Sequence, residues 1–273
     1  MRLFIHILLA GIFLWGGAAA HDDPARAHYL GNEGVMIVHE DTKILFDAFY
    51  ANSYGQYALV PDEIAGAMMT ATPPYDGIDA IFVSHVHGDH FTAAPAITYL
   101  RAHETVHLYG SQQVYDAILA AGVAADEPLM ARVHGFDLDP EDEAKSFKVG
   151  ALSVDVVAIP HAGNRPTIQN FAWRVTLDDE VTVMHLGDAD PEPADFTRHQ
   201  AHFDAKKTHT AFPPDWFIGL ERGEMILKEI IGANQVVGIH VPKRAGGNGD
   251  QWRARAGGDL FTDPGETREV SGQ

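Results

Sequence analysis

The sequence predicts an α/β protein of four layers: two mixed β-sheets packed face to face, with helices covering the outer face of each. Two observations predict it. Short apolar, β-branched runs come first in clusters and then alternate with helical segments, and this order occurs once in each half of the chain. Several of these runs end directly on a histidine or an aspartate, the placement that α/β proteins use for chemistry.

In chain order, Ala27 to Leu30, Gly34 to His39 and Lys43 to Phe46 read as strands, the last two turning at Asp41-Thr42. Tyr50 to Thr72 reads as a loop and a helix closed by Pro73-Pro74. Asp79 to Ser84 is a buried strand. Thr92 is placed to cap a helix over Ala93 to Arg101, Thr105 to Tyr109 is a strand, and Ser111 is placed to cap a helix ending at Gly122. The acidic segment Asp137 to Lys145 reads as a surface turn. Ser146 to Val149 and Leu152 to Ile159 form a hairpin bent at Gly150, and Asn170 to Leu177 pairs with Val181 to Leu186 around Asp178-Asp179. Glu221 to Ile231 is a helix stopped by Gly232, and Gln235 to His240 is a strand.

Residues 1–20 read as a secretory signal rather than as fold. Arg2 precedes the apolar stretch Leu3 to Trp15, and Gly16-Gly17-Ala18-Ala19-Ala20 supplies a small-residue cleavage site. The apolar stretch is too short to span a bilayer comfortably, so the expected product is exported to the periplasm or secreted, with no membrane anchor after cleavage. Residues 21–273 are expected to form one domain. No later segment is long and apolar enough to cross a membrane.

There is no cysteine, which excludes disulfides, thiolate ligands and a cysteine nucleophile. A formal charge of −19 leaves no basic face for phosphate backbones, so nucleic acid is not an expected partner. A small molecule is, while oligomeric state has no readable signal.

The chemistry concentrates in His85-Val86-His87-Gly88-Asp89-His90. Neutral imidazoles and carboxylates suit zinc and similar divalent ions. On a loop leaving a strand, His85 and His87 can point to one side while Asp89 and His90 reach a second point a few Å away. Three further donors each follow an apolar run: His161 after Val154 to Pro160, Asp188 after Val181 to Gly187, and His240 after Val236 to Ile239.

This order of HxHxDH, then His, then Gly-Asp, then a late strand ending in His resembles the metallo-β-lactamase-fold hydrolase superfamily. The opening Tyr29-Leu-Gly-Asn-Glu-Gly34 with Ile44-Leu-Phe-Asp47 and the closing Leu260 to Val270 resemble that fold as well, so the likeness spans nearly the whole mature chain. By that resemblance, His85, His87 and His161 hold one metal, Asp89, His90 and His240 hold a second, and Asp188 bridges them. Zinc is the first choice, with manganese or iron compatible. The resemblance implies a hydroxide held between the metals as nucleophile, with Asp89 orienting it or carrying its proton. An aspartate at the bridging position points to the lactonases, thioesterases and phosphodiesterases of the superfamily rather than to its true β-lactamases. The expected function is an exported dinuclear hydrolase of an ester or lactone, nearest the lactonase-like branch. The alternatives are a phosphodiesterase acting on a phospholipid or nucleotide, then a β-lactamase or a non-catalytic metal-binding protein.

Several residues stay open between a site role and plain packing. Tyr50, Tyr54 and Tyr57 could overhang the mouth, Phe212 to Phe217 could wall a pocket, and Lys243 and Arg244 could meet an anion. His185 could support the site from behind or be a core histidine. His28, His39, His103, His107, His134, His199, His202 and His209 carry no motif and are taken as surface or core histidines.

Overall fold

The structure is a computed structural model that describes residues 24–270. The expected signal segment, residues 1–20, lies outside the described residues. In chain order the strands are β1 (Ala25–Gly31), β2 (Gly34–His39), β3 (Thr42–Phe46), β4 (Ala80–Phe82), β5 (His107–Ser111), β6 (Val133–Phe136), β7 (Lys145–Val149), β8 (Leu152–Ala158), β9 (Phe171–Leu177), β10 (Val181–His185), β11 (Thr210–Phe212), β12 (Gln235–Val236) and β13 (Thr267–Val270). The α-helices are α1 (Asp62–Met69), α2 (Ala93–Ala102), α3 (Gln112–Ala120), α4 (Pro193–Thr197), α5 (Gln200–Asp204), α6 (Glu221–Met225) and α7 (Gly249–Ala256).

The strands form a seven-stranded sheet, β13-β1-β2-β3-β4-β5-β6, and a six-stranded sheet, β12-β11-β10-β9-β8-β7. Each sheet begins as an antiparallel meander and continues with parallel strands. That is the predicted four-layer α/β sandwich. Side-chain alternation sorts residues into its layers. Val35, Ile37, Ile44, Phe46, Ala80 and Phe82 point inward and meet Val154, Val156, Trp173 and Val175 of the second sheet. Met36, Leu45 and Ile81 point outward and are covered by Ile97, Leu100, Val114 and Ile118 of α2 and α3. On the far side Val157, Ala172 and Met184 pack under Phe196, Phe203, Ile226 and Leu227. Because both faces are covered, these strands read as continuous apolar runs.

Several boundaries differ from expectation, each for a visible reason. Neither Thr92 nor Ser111 caps its helix with a side-chain hydrogen bond. The Thr92 hydroxyl instead accepts from the Ala51 amide at 3.0 Å, pinning the loop after β3 to the loop after β4. The strand expected over Asp79 to Ser84 is paired only at Ala80–Phe82, since Ser84 turns away to bond Asp47. The strand expected over Thr105 to Tyr109 starts at His107. Gln235 to His240 is a ladder only at β12; its partner strand β11 runs into Pro213-Pro214, which have no amide to return the bonds. The closing strand is confined to β13. The helix from Glu221 continues past α6 as a π-helical turn, Ile226–Ile230, before Gly232. β6, β11 and the short helices α4, α5 and α7 went unread. Among the described residues, no helix is long and apolar enough to cross a membrane.

Trp173 joins the layers. It is fully buried on β9, and its indole N–H donates to the Val83 carbonyl at 3.0 Å, two residues before His85. Trp173→Phe keeps the ring volume near enough to fold but strands that carbonyl. Its urea midpoint should fall by an amount equivalent to about 1–3 kcal/mol; an unchanged midpoint would show that the bond across the sheets contributes nothing.

Candidate metal centre

The site sits where strand ends from both sheets meet. His85, His87, Asp89 and His90 lie in the loop after β4, His161 after β8, Asp188 after β10 and His240 beyond β12. All seven converge. One donor atom each from His85, His87, His161 and Asp188 lies within 4.8 Å of the others, and the same holds for Asp89, His90 and His240. His87 Nδ1 is 3.0 Å from both His85 Nε2 and His161 Nε2. Asp188 spans the two groups: its Oδ2 is 3.3 Å from His161 Nε2, and its Oδ1 is 3.3 Å from His90 Nε2 and 3.2 Å from His240 Nε2. Asp89 Oδ2 lies 3.6 Å from His240 Nε2.

The ring tautomers show what this arrangement is for. His161 Nδ1 faces the Ala162 carbonyl at 2.6 Å, which only accepts, so that nitrogen carries the proton. His90 Nδ1 donates to the Asp47 carboxylate at 2.9 Å. The Ser84 hydroxyl gives its single proton to Asp47 and so accepts from His85 Nδ1 at 3.0 Å. In neutral rings, each bond leaves the Nε2 lone pair aimed at the centre. At His85 and His161 the lone pairs then face the carboxylate oxygens with no proton between them, while at His90 the facing carboxylates favour a proton on the nitrogen that would otherwise meet a cation. His90 Nε2, His240 Nε2 and Asp188 Oδ1 are buried without any hydrogen-bond partner. Donors sharing a tetrahedral cation at the usual bond lengths stand about 3.4 Å apart. The separations and the unpartnered atoms both fit divalent cations.

The electrostatics agree at His85, His87 and Asp188, and His90 differs. Burial drives His85 well below the ordinary histidine range, with His90 adding to the effect. Burial, with His161 and Arg165, brings His87 down to about 4, so it is a neutral ligand-ready ring near pH 7. Burial would also lower His90, but the facing carboxylates of Asp188 and Glu33 hold it well above its usual value. Asp188 is buried, which opposes ionisation, yet His240 and His90 keep it well below the ordinary carboxylate range. Asp89 is likewise buried and still held low by its bond to His240 and by His90.

Supporting residues that the sequence reading gave no site role complete the frame. Asp47 accepts from the Ser84 amide at 2.7 Å, from its hydroxyl and from His90, and adopts a left-handed backbone with φ 40°. Its signal, an aspartate after an apolar strand, was the same one that marked Asp188. Asn170 is buried; its amide donates to the carbonyls of Ile159 and Leu186, and its oxygen accepts from the Asp188 amide at 3.0 Å. It therefore ties the strand end before His161 to the one before Asp188. Gly187, at φ 56°, passes so close that a Cβ there would strike Asn170 and the Ser84 side chain. Glu33, in the turn between β1 and β2, is wholly buried beside His90 and looked in sequence like any turn glutamate.

The open residues resolve individually. Tyr57 packs edge-on against His240, ring centroids 4.1 Å apart, and burial beside Asp188 and Asp89 pushes its hydroxyl up to about 12. Tyr54 lines the mouth and is exposed, whereas Tyr50 is buried and donates to the Ala58 carbonyl. Trp216 also sits edge-on to His240, ring centroids 5.0 Å apart, while Phe212 and Phe217 are core. His185 is a core histidine with a positioning effect: it accepts from the Gly187 amide and donates to the Glu33 carbonyl at 3.0 Å. Lys243 and Arg244 do not line the mouth; Arg244 lies over the Trp252 ring. Arg165 does line it, exposed and without an ion pair among the described residues, and the sequence reading assigned it no site role. The eight motif-free histidines contribute to none of the donor groups among the described residues. The cleft over the centre holds about 360 Å³, walled by Tyr54, Gln56, Tyr57, Arg165 and four of the donors, His87, Asp89, Asp188 and His240.

Residues 42–242 match the profile of the Beta-lactamase superfamily domain. No curated protein matches the sequence. Among solved structures, the chain is similar to Igni18, a metallo hydrolase from Ignicoccus hospitalis (14% identity, TM-score 0.59, covering 92% of this chain and 100% of that one). It is also similar to an isothiocyanate hydrolase from Delia radicum gut bacteria (14%, 0.54, covering 89% and 98%). A third likeness is to CmlA, a diiron β-hydroxylase from Streptomyces venezuelae (15%, 0.53, covering 91% of this chain and 54% of that one).

Asp47→Ala removes the acceptor that sets the His90 tautomer and anchors Ser84. Metal affinity, measured by competition with a chromophoric chelator, should fall about 10–100-fold. An affinity equal to wild type in a folded variant would remove Asp47 from the frame.

Proposed function

Because the chain belongs to the metallo-β-lactamase superfamily, we propose that it is a dinuclear metal-dependent hydrolase that cleaves an ester or a lactone. The observation that supports this most directly is Asp188, whose two oxygens face two different donor groups at the floor of an open cleft. Divalent cations held there supply Lewis-acid polarisation of the scissile group and a water acidic enough to attack near neutral pH. His85, His87 and His161 with Asp188 form a nitrogen-rich set that suits zinc, and Asp89, His90 and His240 with Asp188 form the second set. Manganese and iron remain compatible with both.

The chain's own groups account for the remaining steps. Asp89, ionised at the cleft wall beside His240, orients the attacking water and takes its proton. Tyr57 and Trp216 both pack edge-on against the His240 ring and hold it in place. Arg165 overhangs the centre as an unpaired cation and anchors an anionic group of the substrate. The hydrolase names of Igni18 and the isothiocyanate hydrolase support hydrolysis as the reaction class. The nitrogen-rich set, suited to a redox-inert ion, favours hydrolysis over the oxidative chemistry named for CmlA. Arg165 also gives a specific ground for a second reading, phosphodiester cleavage. Export through cleavage of residues 1–20 belongs to the same proposal, and the mass of the mature chain tests it.

A metal-loaded sample offered a lactone, a p-nitrophenyl ester, bis-p-nitrophenyl phosphate and a cephalosporin should turn over the lactone or the ester fastest. Asp188→Ala should lower that rate by more than about a hundredfold with the far-ultraviolet spectrum unchanged. Preferential cleavage of the phosphodiester selects the second reading. No turnover of any of the four by the two-metal protein would contradict ester or lactone hydrolysis.

A further inference from the structure

Glu33 sits beside His90, and that contact alone does not explain its surroundings. Its side chain is entirely buried, and neither carboxylate oxygen has a hydrogen-bond partner. The two nearest nitrogens are already committed. His90 Nδ1, 3.5 Å away, donates to Asp47, and His185 Nε2, 3.7 Å away, donates to the main-chain carbonyl of Glu33 itself. A carboxylate taken out of water with no donor is among the most costly arrangements a fold can hold. The groups it faces are orphaned too: Asp188 Oδ1 and both ring nitrogens of His240 lack partners. One Glu33 oxygen, one Asp188 oxygen and one His240 nitrogen all lie within 4.8 Å of one another. These buried groups face each other with several unpartnered acceptor atoms, of which the single N–H of a neutral His240 ring can satisfy at most one, whereas a cation satisfies them together.

We propose that Glu33 is a third carboxylate of the metal centre, supplying an oxygen donor to the Asp89–His90–His240 position from its buried side. The proposal rests on the reading that this centre binds two metals. It makes the two positions chemically unlike. One has three imidazole nitrogens and an Asp188 oxygen. The other has the imidazole nitrogens of His90 and His240 and an Asp89 oxygen, with Asp188 Oδ1 beside both rings and a Glu33 oxygen within 4.8 Å of Asp188 and His240. An oxygen-rich set with more than four donors suits manganese or iron better than the nitrogen-rich set does. The centre is therefore built to hold two different cations, or to hold manganese or iron selectively at the second position. The backbone supports a deliberate placement. His240 and Asn32, the neighbour of Glu33, both adopt left-handed conformations, φ 60° and 46°, and the His240 amide donates to the Asn32 carbonyl at 2.9 Å.

The test is a titration of chelator-stripped protein with Mn2+, read from the electron paramagnetic resonance of the free ion, alongside Zn2+ titrated against a chromophoric chelator. Wild type should bind two equivalents of either ion. Glu33→Gln, nearly isosteric but neutral, should bind the first Zn2+ as wild type does and lose at least about tenfold in affinity for the second Mn2+. Glu33→Asp keeps a buried carboxyl group and withdraws it by one methylene, so it is the variant to use if the glutamine protein does not fold; it should show a loss of the same sign. Wild-type affinity for the second Mn2+ in either folded variant overturns the proposal. Wild-type protein that takes up no metal would instead overturn the dinuclear reading on which it rests.

Discussion

The centre depends on one joint between the two sheets, at Ser84. Its amide and hydroxyl are held by Asp47 of the first sheet, and its carbonyl accepts from the Phe171 amide of the second at 2.9 Å. Immediately before it, the Val83 carbonyl accepts from the Trp173 indole; immediately after it comes His85, whose ring bonds the same hydroxyl. Gly187 rests against the Ser84 side chain and delivers Asp188. A single residue thus sets where the loop from one sheet meets the Asp188 carboxylate from the other. A metal centre tolerates displacements of only a few tenths of an ångström, so its donors need such a rigid origin rather than a chain of flexible loops.

The same joint imposes an electrostatic constraint. Outer partners fix the proton on the far nitrogen of His85, His90 and His161, so the near nitrogens present lone pairs to one small volume. Asp188, Asp89 and Glu33 bring carboxylates to its edge. Carboxylates brought this close repel one another, and within the chain a raised His90 is what offsets them. The fold holds it together through its three apolar layers and through strained backbone at Asp47 and His240, conformations that a non-glycine residue adopts only when its surroundings enforce them.

Much of this was legible beforehand because two signals are local. Apolar runs of strand length carry their own periodicity, so β2 was read to the residue and the hairpins at Gly150 and Asp178-Asp179 were read with their partners. Donors that follow such runs can be read the same way, which is why His85, His161, Asp188 and His240 stood out. The residues that went unread act through distant partners. Asn170 matters because it touches Ile159, Leu186 and Asp188 at once, and Glu33 because a tertiary enclosure buries it; neither leaves a mark in its own neighbourhood of sequence. Helix caps were misjudged for a related reason. The Thr92 hydroxyl serves a loop forty-one residues away, not its own helix.

Two cations are expected to share Asp188, one on each carboxylate oxygen. Anomalous diffraction from crystals of the metal-loaded protein tests this most directly. Two peaks are predicted, one among His85, His87 and His161 against Asp188 Oδ2, and one among Asp89, His90 and His240 against Asp188 Oδ1. A single peak, or a cation bound away from Asp188, would contradict it.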